Sequence, residues 1–122
     1  MPFDWNDYFT LAAELANKKD EARLRSAISR SYYCVYNLAK AYLQSNSRTV
    51  RGADHEALWN QFTSIEGKIS VQSWGDRARK IRNKADYDDT IKNLEIEFRV
   101  AMMNAQYIIN ELKKPISIPP ES

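Results

Sequence analysis

Apolar residues recur at helical spacing along most of the chain, and the clearest pattern runs from about Glu21 to Gln44. A second set of positions, Ser26, Arg30, Tyr33 and Asn37, follows the same spacing on the opposite side and is polar or aromatic. The pattern predicts a helix about 37 Å long that crosses the domain and uses both of its faces. Its core positions are Leu24, Ile28, Ser31 or Tyr32, Val35, Ala39 and Tyr42.

Similar patterns predict further helices on both sides of this segment. Asp4 and Asp20 are suitable N-caps, and Ser73 and Asp76 have the spacing of a capping box that would begin the fourth helix. Three glycines and four prolines are few breakers for this length, and no segment alternates like a strand. We therefore predict an all-α fold, an antiparallel bundle of four to five helices. The other predicted helices are about Trp5–Asn17, a shorter one after Asp54, about Trp74–Lys84 and about Thr90–Lys114.

The last predicted helix carries two apolar stripes instead of one. A helix on the surface of a domain needs one apolar face, so a second face implies a central position or a contact with a partner chain. We favour the partner chain and expect a symmetric homodimer. The first stripe is Ile91, Leu94, Phe98, Ala101 or Met102, Ala105, Ile109 and Leu112, and the second, about 160° away, is Ile96, Val100, Met103 and Tyr107.

The length of 122 residues suits one domain, which we expect to span residues 1–114, with a flexible tail at 115–122. No apolar run approaches the roughly 20 residues that cross a bilayer, and the N-terminus lacks the pattern of a signal peptide. The single cysteine, Cys34, cannot form an internal disulfide. These features predict a cytoplasmic protein that does not bind a membrane.

The net charge of +2 is too small to indicate a nucleic-acid partner, but the cations are unevenly distributed. Five of them fall within eight residues of the predicted fourth helix. This run is either a solvated helix face or a patch that binds phosphate. Its members are Arg77, Arg79, Lys80, Arg82 and Lys84.

The sequence offers no metal site, and we expect no cofactor. His55 is the only histidine and has no histidine or cysteine at ligand spacing, while Cys34 belongs to another part of the pattern. His55 directly follows the presumed cap Asp54. We therefore favour a capping-turn or interface histidine over a catalytic one. No glycine-rich phosphate loop and no nucleophile elbow is present.

The segment from Arg82 to Tyr87 is the most suggestive candidate site. Arg82 falls about 80° from the centre of the apolar seam, at the boundary between core and solvent, where its guanidinium could bind a phosphate bidentately. Asn83 can donate and accept hydrogen bonds, and Tyr87 offers a hydroxyl and a stacking face. The alternative is structural: Arg82 pairs with Asp86, and Tyr87 packs under the connector that follows.

Three segments together resemble the HEPN superfamily, the higher eukaryote and prokaryote nucleotide-binding domain. They are AISRSYYCVYNLAKAYL at 27–43, HEALWNQF at 55–62 and RNKADYDD at 82–89, each in the expected order along the chain. The resemblance extends from about Trp5 to Leu112. The chain resembles in particular the small stand-alone bacterial and archaeal members, whose later motif reads R-x-x-A-D-Y.

The resemblance implies a helical bundle that dimerises. Many members are metal-independent ribonucleases used as toxins or in antiviral defence, with an Arg-x4–6-His motif from each protomer at the dimer interface. Arg82 matches the arginine of that motif and Asn83 its polar neighbour, whereas Tyr87 stands where the histidine belongs. A tyrosine, with a pKa near 10, transfers protons poorly at neutral pH. Some members pair with a co-encoded nucleotidyltransferase-like antitoxin.

The resulting hypothesis is a HEPN-domain protein that acts on or binds RNA or a nucleotide in a defence or toxin–antitoxin setting. Its candidate catalytic residues are Arg82 and Tyr87, and turnover as an endoribonuclease is left open by the missing histidine. One alternative is an inactive module that binds a co-encoded partner, and another is a purely structural dimer. A structural network would instead pair Arg30 with an acid of the connector at 85–89. The candidate phosphate-binding residues are Arg30, Tyr33, Arg79, Arg82 and Asn83.

Overall fold

The computed structural model describes residues 2–50 and 54–114, and these residues form helices and no strand. The all-α prediction is therefore confirmed for this part of the chain. The expected tail at 115–122 and residues 51–52 of the predicted basic loop lie outside the described residues. The helices are α1 (Asn6–Leu15), α2 (Glu21–Ser45), α3 (His55–Asn60), α4 (Ile69–Tyr87) and α5 (Leu94–Lys113), with a short 3-10 helix (Gln61–Ser64) after α3.

The long helix α2 is the centre of the bundle and contacts all four other helices. Asp20 caps it as predicted, because its carboxylate accepts a hydrogen bond from the Arg23 backbone N–H at 2.9 Å. The predicted core stripe is buried except for Tyr42, which is half-buried. Further buried residues lie outside that stripe, since α2 is covered on more than one side. They are Ala27, Cys34, Tyr36 and Leu43.

The predicted start of α4 is wrong. The helix begins at Ile69, five residues before Trp74, and Ser73 lies within it. The side chain of Asp76 pairs with Arg79 and Lys80 along the same helix and does not form a capping box. Tertiary packing explains the longer helix, because Val71, one turn before Gly75, is fully buried in the main core.

The last helix also begins later than predicted, at Leu94 instead of Thr90. Asn93 precedes it with a φ of 56°, a left-handed conformation that asparagine tolerates better than most residues. The left-handed residue marks the end of the connector and the start of the helix. The first predicted stripe faces the core, where Ala101, Ala105 and Ile109 are buried. None of the helices in residues 2–50 and 54–114 is both long and apolar enough to cross a membrane.

One close contact fixes the short helix α3 against α4. The indole of Trp59 is fully buried and lies directly over Gly75. A Cβ atom at position 75 would lie 2.1 Å from two atoms of the Trp59 ring, so no larger residue fits without moving the helices apart. The contact places His55, the first residue of α3, beside α2 and α4.

Gly75→Ala should therefore destabilise the fold strongly, although alanine is the better helix former. We expect the free energy of unfolding to fall by about 3 kcal/mol, measured by urea denaturation. Ser73→Ala on the same helix is the matched control and should change it little, because Ser73 is exposed. Equal stability of the two variants would contradict the importance of this contact.

Candidate functional site

Arg82 lies inside the bundle, deeper than its helical position predicts. Only 7% of the residue is exposed. Its guanidinium carbon lies 5.1 Å from the ring centre of Tyr32 and 5.3 Å from that of Tyr33, both on α2. At these distances the electron-rich faces of the rings attract the cation. Two aromatic rings thus hold the charged end of Arg82 between α2 and α4.

The polar partners of Arg82 are few. Its Nη1 atom lies 3.4 Å from an Asp86 carboxylate oxygen, a weak contact that agrees with the predicted pairing. Its Nε atom is buried and has no hydrogen-bond partner among the described residues. The buried cation Lys68 differs, since its Nζ donates to the Glu111 carbonyl at 2.8 Å and lies 3.6 Å from the Glu111 carboxylate.

His55 belongs to the same cluster, a contact that no pattern in the sequence predicts. Its Nδ1 atom lies 2.6 Å from the Tyr32 hydroxyl, and its ring stacks on Tyr36 with 4.1 Å between centres. The Trp59 indole N–H donates to the same Tyr32 hydroxyl at 3.1 Å. Tyr32 therefore contacts both His55, on α3, and the guanidinium of Arg82, on α4.

The cluster favours neutral forms of its titratable groups. Burial lowers the pKa of His55 below its ordinary value, and the positive charges of Arg82 and Arg79 lower that pKa further. Burial raises the pKa of Tyr32 to about 12, although the hydrogen bond from Trp59 opposes the rise. At neutral pH both side chains are uncharged, and the arginines supply the positive charge.

The basic run on α4 divides between two environments. Arg79 is half-buried like its neighbour Asp76, which accepts a hydrogen bond from Arg79 Nη2 at 2.8 Å and thereby raises the pKa of the guanidinium. The Nε atom of Arg79 is buried without a partner in residues 2–50 and 54–114. The exposed cations Arg77, Lys80 and Lys84 form the solvated face. Three of the five cations thus lie on a solvated helix face, and phosphate binding by Arg79 and Arg82 remains a prediction.

The polar face of α2 borders this cluster. Arg30 is exposed, and its guanidinium lies 5.0 Å from the ring centre of Tyr8 on α1. Arg30 and the half-buried Tyr33 line a surface depression together with Asp86, the partner of Arg82. The predicted residues Arg30, Tyr33 and Arg82 therefore lie near one another. Asn37 stays within α2, where its amide donates to the Tyr33 carbonyl at 2.8 Å.

Arg25, which no sequence argument selected, holds the connector after α4. Its guanidinium donates to the carbonyl oxygens of Ala85 at 3.1 Å and Asp89 at 3.2 Å, and also to that of Asp88. A cation at the carboxyl end of a helix is favourable, because the last carbonyls carry partial negative charge. Arg25 thus fills the structural role that we considered for Arg30.

Tyr87 points away from the cluster. It is the last residue of α4 and is 74% exposed, so it does not pack under the connector as the structural alternative assumed. Asn83 is half-buried on the same helix. Residues 2–50 and 54–114 contain no group of three or more His, Cys, Asp or Glu side chains that could bind a metal ion.

The sequence matches the model of a known protein family. The family model for the HEPN domain matches residues 7–115, which is nearly the whole chain. No curated protein and no solved structure matches the chain significantly.

His55 is the only histidine, so its NMR signals report the electrostatics of the cluster without assignment. We expect its pKa to lie below 6.5, and Arg82→Met to raise that pKa because one positive charge is removed. Arg77→Met on the exposed face is the matched control and should leave the pKa unchanged. Since unfolded His55 binds its proton at higher pH, the free energy of unfolding should decrease as pH falls from about 6.5 toward the folded pKa. A pKa at or above 6.5 would contradict the geometry.

Proposed function

The chain belongs to the HEPN domain family, and we propose that it binds RNA through a phosphate site centred on Arg82, in a defence or toxin–antitoxin setting. One observation carries this proposal: Arg82 is a buried cation whose partners in the described chain do not satisfy it. Buried charges normally have good ion pairs and hydrogen bonds, because burial removes them from water at high cost. A guanidinium with one weak acidic contact indicates a place for an external anion.

The chemistry of the neighbouring side chains favours a phosphate. Arginine presents a planar set of N–H donors that matches phosphate oxygens, and Arg79 adds a second guanidinium with an unpartnered Nε among the described residues. Arg30 and Tyr33 extend the site along α2. A half-buried tyrosine beside cations can stack on an unpaired base, which is how many proteins hold single-stranded RNA.

Family membership also bears on cleavage. The candidate catalytic pair is Arg82 and Tyr87, and Tyr87 is exposed at the end of α4, outside the cluster of its own chain. The two residues would act on one phosphate only if a second protomer brought its own tyrosine to this cluster. RNA binding is thus the core of our proposal, and endoribonuclease activity is the further outcome that a cleavage assay decides.

We expect Arg82→Met to weaken binding of a fluorescein-labelled single-stranded RNA by about tenfold, since one charge-assisted contact is lost. Arg82→Lys should recover only part of the affinity, because lysine keeps the charge without the guanidinium fork. Fluorescence anisotropy at low salt measures the dissociation constant, and circular dichroism confirms that each variant is folded.

Arg77→Met is the control for net charge, because Arg77 is exposed on the same helix. It should weaken binding far less than Arg82→Met. The same RNA on a denaturing gel reports any cleavage by the wild type. Equal losses of affinity in Arg77→Met and Arg82→Met would mean that only the net charge matters. An RNA that does not bind at low salt would contradict the proposal as a whole.

A second candidate function rests on the outer face of α5. Ile96, Met103 and Tyr107 of the second predicted stripe are 56%, 45% and 43% exposed, an unusual row of apolar side chains on one helix face. Tyr107 also contacts Trp74 of α4, with 5.3 Å between ring centres. This face suits the homodimer that we expect. It would equally suit a co-encoded protein partner, such as a nucleotidyltransferase-like antitoxin, if the domain is an inactive interaction module.

We expect the wild type to have the mass of two chains by light scattering and the double variant Met103→Glu, Tyr107→Glu to have the mass of one. Burying two new carboxylates at an interface is costly, so they should separate the chains. Gln106→Glu is the control, because Gln106 is exposed and lies next to the stripe. A wild type that has the mass of one chain would favour the co-encoded partner, which a pull-down of the wild type and the double variant can then test.

A further inference from the structure

The hydrogen bonds around Tyr32 determine which nitrogen of His55 carries the proton. The indole N–H of Trp59 can only donate, so it donates to the Tyr32 oxygen at 3.1 Å. The hydroxyl hydrogen of Tyr32 itself needs an acceptor, and among the described residues the partner it meets is His55 Nδ1, 2.6 Å away. We therefore assign this nitrogen as the acceptor. In a neutral imidazole the second nitrogen holds the hydrogen. His55 is therefore an Nε2–H donor.

This donor group is available for a ligand. Nε2 lies on the side of the imidazole away from the Tyr32 hydroxyl, and among the described residues it has no hydrogen-bond partner. His55 is half-buried, so the ring is partly reachable from outside. Tyr36 stacks on one face of the ring and limits its rotation. The donor direction is thus fixed by one hydrogen bond and one stacking contact.

The charges around His55 select the kind of ligand. Arg82 lies against the Tyr32 ring that His55 also contacts. The charges of Arg82 and Arg79 lower the pKa of His55, and that of Asp54 opposes the shift. Glu56, on the same helix as His55, is exposed and lies near enough to Arg79 to raise the pKa of its guanidinium. Asp54 caps α3, and Asp76 binds Arg79. Two guanidiniums and one neutral N–H group together suit an oxyanion, because the cations supply charge and the imidazole supplies direction.

We propose that His55 is a ligand-contacting residue of the phosphate site, where its Nε2–H donates to a phosphate oxygen that Arg82 and Arg79 neutralise. Tyr32 is the positioning residue that holds His55 in this tautomer through Nδ1. The inference rests on the proposed function, since it concerns the same site. It assigns the donor role to a histidine that lies outside the Arg82–Tyr87 segment.

Nitrogen-15 NMR of the single histidine tests the tautomer and the contact directly, with a protein purified without a histidine tag. In the free protein at pH 7.5, Nε2 should carry the proton and Nδ1 should have the shift of an acceptor. Addition of inorganic phosphate, or of a 12-nucleotide single-stranded RNA, should move the Nε2 and Hε2 signals and leave the tautomer unchanged. Signals that stay fixed while anisotropy shows the RNA fully bound would overturn the inference.

Two pairs of variants separate contact from mere support of the fold. The amide of glutamine reaches about as far as Nε2 and that of asparagine only as far as Nδ1, so His55→Gln should keep more affinity for the RNA than His55→Asn, which should lose about tenfold. Tyr32→Phe should weaken binding about threefold and give a mixture of tautomers. Tyr42→Phe, which removes from the same helix a hydroxyl with no hydrogen-bond partner among the described residues, should change neither. Equal affinities of the two His55 variants would contradict a donor at Nε2.

The outcomes also distinguish this inference from the proposed function. If phosphate shifts the His55 signals but the RNA does not bind, the site exists and its RNA ligand is wrong. If the RNA binds and depends on Arg82 but His55 does not respond, the proposed function stands and the role of His55 is wrong. If neither phosphate nor the RNA affects the protein, both fail.

Discussion

The contact between Trp59 and Gly75 is the constraint on which the site depends. Because position 75 has no side chain, the indole lies flat against α4, and α3 reaches both α2 and α4. The same indole directs its N–H at the Tyr32 hydroxyl, which in turn holds His55. Trp59 thus both packs against α4 and donates a hydrogen bond to the cluster. A larger residue at position 75 would displace Trp59 and, with it, the hydrogen bond to the Tyr32 hydroxyl that contacts His55.

Lys68 and Arg82 are the buried cations of the described chain, and only Lys68 has a full set of partners within the fold. Lys68 is 3% exposed and ties the start of α4 to the end of α5 through carbonyl and carboxylate oxygens of Glu111. Those partners offset the loss of water, so Lys68 is explained by the chain alone. Arg82 is almost as buried but has two aromatic rings and one 3.4 Å contact. Lys68 has enough acceptor oxygens within the chain and Arg82 does not. A bound anion would supply the acceptors that Arg82 lacks.

The sequence predicts those features that depend on local pattern. Periodicity located α2 to within one residue, and the Asp20 cap followed from side-chain chemistry. Features that depend on distant partners were missed. A serine and an aspartate three apart occur inside helices too, so the capping box at Ser73 misplaced the start of α4. Nothing local distinguishes Arg25 from Arg30, or shows that His55 would meet a tyrosine 23 residues earlier in the chain.

The helix α4 joins the two surfaces that the proposals concern. Ile81 packs with Ala101 of α5 in the second core cluster, and the next residue, Arg82, lies against the tyrosines of α2. One helix therefore carries Arg82, the centre of the proposed phosphate site, on one side and supports the α5 stripe on the other. If that stripe binds a second copy, Trp74 of α4 lies beside the interface, because its ring contacts Tyr107 of the stripe. Assembly and phosphate binding would then be linked through α4, because any shift of this helix moves both surfaces together.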